Sequence, residues 1–109
     1  MQINPRRMDQ VTIFDVSGDI DLANSPEMRK TLLQEMRDRK TPRVIVNLTK
    51  VRYIDSSGVA SLVEGLKASR DLGLRFILFG LSPAAREVLQ LSRLLKIFEV
   101  HEDEEHALA

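Results

Sequence analysis

The chain has 109 residues, 43% hydrophobic and 29% charged, which suits one buried core and is too short for two. Sixteen basic residues balance sixteen acidic ones, so no net field draws it to nucleic acid or an anionic membrane, and the lack of cysteine excludes disulfides and thiolate metal sites. No stretch approaches the ~20 apolar residues of a transmembrane helix, and Met1-Gln2-Ile3-Asn4-Pro5 has no apolar signal core, so a single cytoplasmic domain over residues 1–109 is expected.

Met1 and Ile3 fit an edge strand, the sheet position that tolerates Pro5. Arg6-Arg7 and Asp9-Gln10 read as the polar turn after it. Val11-Thr12-Ile13-Phe14-Asp15-Val16 is rich in β-branched and aromatic residues and predicts a strand that Gly18 ends. Ser25 as N-cap, Pro26 at the first helical position and Glu27 against the dipole predict a helix over 26–39. Met28, Leu32 and Met36 give it an inner face; Arg29, Lys30, Arg37, Asp38 and Arg39 read as solvated surface.

Val44-Ile45-Val46 is apolar at consecutive positions, the mark of a strand covered on both faces. A helical connection to the preceding strand predicts parallel pairing through a right-handed crossover. Helix 57–72 carries Val59, Leu62, Val63 and Leu66 on one face, and Gly73 supplies a left-handed C-cap. Arg75–Phe79 reads as another covered strand, and Ser82-Pro83 opens a helix to about Ser92. A short final strand is expected within 94–100, and residues 102–108 read equally as a short acidic helix or a frayed tail. The order describes an α/β domain: a mixed, mostly parallel sheet of four to five strands with three to four packed helices.

Catalytic patterns are sparse. The sequence holds no Gly-x-Ser-x-Gly elbow, no phosphate-cradling Gly-rich loop and no His-Glu-x-x-His. His101 and His106 fall in the tail and read as exposed polar residues, although a serine hydrolase would need one of them as its base. With one Tyr and four Phe placed in or beside strands, a base-stacking platform is not expected.

Asp55-Ser56-Ser57-Gly58 stands out. It joins a buried strand to a helix and holds three residues able to cap where one suffices. One residue can cap while another leaves its hydroxyl in solvent, and Gly58 would let a partner's backbone approach. A phosphate added here would meet free N–H groups and the positive end of the helix dipole, so the fold need not break. The same group adds about 1.5–2 negative charges beside Asp55, which a docked partner would have to desolvate.

With its flanking motifs, the chain resembles the anti-sigma factor antagonists of STAS fold over nearly its whole length. Gly18-Asp19-Ile20-Asp21 is similar to the family's Gly-x-Leu-Asp. Val44–Leu48 and Val51–Val59 are similar to its central strand and phosphorylation loop, and Gly73 and Ser82-Pro83 also match. Asn47 stands where many members have Asp, and Val59 replaces a common Leu. The resemblance implies a single STAS domain that, unphosphorylated, binds an anti-sigma factor with serine kinase activity and frees a sigma factor. It implies phosphorylation at Ser56, reversal by a serine phosphatase, and a docking surface of Asp21, Asp55, Ser57, Gly58 and Val59. Ser57 and Asp55 then serve as cap and rim. No enzyme activity, cofactor, metal, nucleic acid or membrane is implied, ATP belongs to the partner, and a homodimer is admitted. The alternative within the fold is a subunit bound to the ATPase of a lipid-type ABC transporter, or a scaffold in a signalling assembly.

Overall fold

The computed structural model describes residues 1–109. Strands β1 (Gln2–Arg7) and β2 (Val11–Ser17) pair antiparallel, and β3 (Arg43–Lys50), β4 (Arg75–Phe79) and β5 (Glu99–His101) add in parallel, in the spatial order β1-β2-β3-β4-β5. Helices α1 (Ser25–Arg39), α2 (Ser56–Leu72) and α3 (Pro83–Leu91) connect the parallel strands, and α4 (Glu104–Leu108) ends the chain.

Strand alternation divides the apolar residues between two cores. Phe14, Val16, Val44, Val46, Phe76 and Leu78 face α1–α3 and meet Met28, Leu32, Met36, Leu62, Leu66 and Leu89. Val11, Ile13, Ile45, Ile77 and Phe79 face the other way and are covered by Ala107 of α4. That second cover is why β3 and β4 are apolar at consecutive positions rather than alternate ones. Asp103 caps α4 by accepting the His106 N–H, and Arg43 donates to the carbonyls of Ala107 and Leu108, so these five residues are a docked helix rather than a frayed end.

Several boundaries differ from expectation. Arg6 and Arg7 belong to β1, not to the turn. Pro5 sits within that strand at the sheet edge, where it need not donate to a second neighbour. Arg6 bridges Asp15 and Glu104, and Arg7 forks onto the buried Glu35 with both bonds at 2.8 Å. Ser25 lies inside α1, buried. The N-cap position is Asn24, whose side chain turns back to accept the Asp21 N–H instead of capping. Leu95–Ile97 is a 3-10 turn, so the last strand begins only at Glu99. His101 is the last residue of β5, half-buried against Glu99 rather than an exposed tail residue.

Other turn chemistry follows the residues. Gly73 takes the left-handed conformation (φ 71°) and closes α2 by donating to Arg70 and Ser69 carbonyls. Ser82 caps α3 through the Ala85 N–H and donates its own proton to the Arg52 carbonyl, fixing α3 to the loop before Asp55. The molecule contains no helix long and apolar enough to cross a membrane.

Candidate functional site

The parallel pairing of β2 with β3 continues past both strands. Ile20 N–H donates to the Tyr53 carbonyl at 3.0 Å, and Asp55 N–H donates to the Ile20 carbonyl at 3.1 Å. This zip brings the loop containing Asp21 against the start of α2. With Ile20 and Ile54 both buried beneath it, the loop rests on the main core.

Asp55 is the N-cap. Its backbone is extended, and Oδ1 accepts the N–H of Ser57 at 2.9 Å and of Gly58 at 3.1 Å. The other oxygen, Oδ2, accepts the Leu22 N–H at 3.1 Å. Ser57, expected as the cap, is the second residue of the helix. The carboxylate wins that position because one oxygen reaches two first-turn donors while the other binds the neighbouring loop.

Ser56 is thus the first residue of α2, exposed, and its hydroxyl has no hydrogen-bond partner in the protein. Helix α2 runs for 17 residues behind it, so its positive end lies under this serine. Ser57 is half-buried; its carbonyl accepts the Ser61 hydroxyl at 3.2 Å, which also reaches the Ser25 carbonyl and ties α2 to α1. Asp21 folds its own turn, with Oδ1 accepting from Ala23 and Asn24. Asp21, Asp55, Ser56 and Ser57 therefore share one rim.

Gly58 and Val59 lie below that rim. A Cβ built on Gly58 would stand 2.5 Å from Ile54 Cγ1 and 2.7 Å from Ile20 Cγ2, and Val59 is only 4% exposed. The room left by the glycine is taken from inside by Ile54 and Ile20. This differs from the expectation that it admits a partner's backbone.

Two surface residues escaped the sequence reading. Leu22 is 73% exposed and Tyr53 48%, on either side of Asp55 in the zipped loops. A lone loop leucine or tyrosine carries no pattern that separates it from core residues, so only the fold reveals them. Both histidines are engaged elsewhere, His101 Nε2 with Glu99 at 2.9 Å and His106 Nδ1 with Asp103 at 2.6 Å. The Asp103 carboxylate raises the His106 pKa above its ordinary value. Neither ring hydrogen-bonds Ser56. No cluster of three or more His, Cys, Asp or Glu is gathered as metal ligands.

Comparison with known proteins gives the family and the fold. Residues 2–107 match the model of the STAS domain family. The anti-sigma-B factor antagonist of Listeria monocytogenes is 32% identical over 101 residues, covering 92% of this chain and 86% of that protein. The anti-sigma F factor antagonist of Paenibacillus polymyxa is 24% identical, covering 99% and 92%. In fold, the chain is similar to the anti-sigma factor antagonist SpoIIAA in its unphosphorylated form, with a TM-score of 0.83 at 21% identity over 98% of this chain and 93% of that one. A Bacillus SpoIIAA in its phosphorylated form superposes with a TM-score of 0.75 at 21% identity, covering 98% and 96%. By the family match and the curated relatives together, this chain belongs to the STAS-domain anti-sigma factor antagonists.

Proposed function

We propose that this protein, when unmodified, binds an anti-sigma factor with serine kinase activity and so releases a sigma factor, and that phosphate on Ser56 ends the binding. The supporting observation is the state of Ser56: an exposed hydroxyl, free of internal hydrogen bonds, at the first position of a helix already capped by Asp55. Modification there costs no native contact, and the helix dipole favours the added charge. The rim of Asp21, Asp55 and Ser57 forms the contact surface, while Gly58 and Val59 hold its shape from beneath. A serine phosphatase resets the switch, and the exchange takes place in the cytoplasm. That relatives carry the name of anti-sigma factor antagonist, and that SpoIIAA has been solved with and without phosphate, supports this reading.

The test is incubation with the purified anti-sigma kinase and ATP, followed by mapping of the phosphate by mass spectrometry. Phosphate on Ser56 is expected, and a Ser56→Ala variant should take up none. Phosphate on another residue, or none on the wild type, contradicts the assignment.

A further inference from the structure

Ser56, Ala60 and Glu64 recur every four residues and are all exposed, so they form one outward face of α2. Beside this face, between α1 and α2, runs a groove lined by Leu22, Pro26, Arg29, Ser57, Ala60 and Glu64. Leu22 marks one end as an apolar side chain in solvent. The other end is closed by an ion pair in which Arg29 Nη1 donates to Glu64 Oε2 at 3.1 Å.

Stability does not explain the pair. Its side chains are 49% and 46% exposed, and such surface pairs add little to folding. Docking changes its surroundings. A partner that buries ~800 Å² on its side covers a disc of roughly 16 Å radius, and Glu64 lies about 12 Å along the helix from Ser56. A partner centred on Ser56 therefore covers both charges and strips their water. The pair makes only the one bond, so the remaining guanidinium N–H groups of Arg29 and Oε1 of Glu64 are left for the opposing surface to satisfy once water is gone.

We propose that Leu22 and the Arg29–Glu64 pair select the partner. The occupant of the groove is a segment of the anti-sigma kinase that packs an apolar side chain on Leu22, brings a carboxylate to Arg29 and brings a cation to Glu64. Kinases of related systems with other charges at these two points are rejected by like-charge contact, independently of the phosphate on Ser56. The proposal rests on the binding role given above.

The experiment measures affinity for the purified anti-sigma kinase by calorimetry, with the thermal midpoint of each variant alongside. Arg29→Glu, Glu64→Arg and Leu22→Ala should each weaken binding about tenfold or more, with melting nearly unchanged. The double exchange Arg29→Glu with Glu64→Arg rebuilds the internal pair in reverse and should still bind poorly. Wild-type affinity in the double exchange means the pair acts only within the chain and overturns the proposal, as do single variants that bind like wild type. If the wild type itself does not bind the kinase, the functional reading fails, and this proposal falls with it.

Discussion

The Asp55 carboxylate holds the Leu22 backbone at 3.1 Å through Oδ2 while Oδ1 caps α2 through Ser57 and Gly58. One side chain thus fixes the helix start and the exposed loop beside it. Ser56, between the cap and these donors, needs no contact of its own.

Asp55→Ala should therefore cost more than an ordinary cap. Loss of a capping side chain is worth about 1–2 kcal/mol, and here the Leu22 N–H loses its acceptor too. A fall of about 4–8 °C in melting temperature per kcal/mol is expected for a domain of this size. A midpoint equal to wild type would show that the cap is not made in solution.

Gly58→Ala pits two effects against each other. Alanine gains about 1 kcal/mol in helix propensity, but its Cβ enters space already held by Ile54 and Ile20 at 2.5 and 2.7 Å. Overpacking of this kind costs about 1–3 kcal/mol and forces neighbours to move. Net destabilisation in urea unfolding is expected, whereas a stabilised variant would show that this corner of the core yields freely. The same shift should disturb the Asp21 loop, which rests on Ile20.

At the far edge of the sheet, Arg75 donates two hydrogen bonds to Glu99 and holds its carboxyl down to about 2, with His101 adding to the effect and burial opposing it. A carboxyl with a depressed folded-state pKa stabilises above its ordinary value of 4.5 and loses that contribution as pH falls toward 2. Arg75→Gln should be less stable than wild type at pH 7, and the two stability curves should converge as the pH drops through this window. The pair is partly exposed, so the gap is small. Curves that stay parallel to pH 2 would remove Glu99 from the acid response.

The sheet and its helices were legible because their apolar residues repeat at strand and helix periods, and the helix start at Ser82 carries its capping residue in place. The misread boundaries are those where a side chain chose a distant partner. Arg6 and Arg7 look like turn residues until Asp15, Glu104 and Glu35 come within reach, and Asn24 displaces Ser25 because its amide serves the Asp21 turn. Asn47, which stands where many family members have Asp, also has a distant partner. It donates to Asp15 at 2.8 Å, where an aspartate would set two carboxylates together. At the site, the surplus of hydroxyls marked the stretch Asp55-Ser56-Ser57-Gly58, and only the resemblance singled out Ser56 within it. The burial of Gly58 and Val59 and the exposure of Leu22 depend on the zip between Ile20 and Ile54, a contact between segments more than thirty residues apart.

Ser56→Asp should fold like wild type, since the new carboxylate sits at the positive end of α2 and displaces nothing. Its affinity for the anti-sigma kinase should fall, less than with the full phosphate because it carries one charge and not about two. Unfolding of this variant would mean that Ser56 makes a contact the structure does not contain.

The most direct measurement is the affinity of the anti-sigma kinase for the protein before and after stoichiometric phosphorylation of Ser56, with circular dichroism on both forms. A drop of about 100-fold or more between two equally folded forms is expected from burying about two extra charges at the interface. Equal affinity of the two forms would contradict the switch.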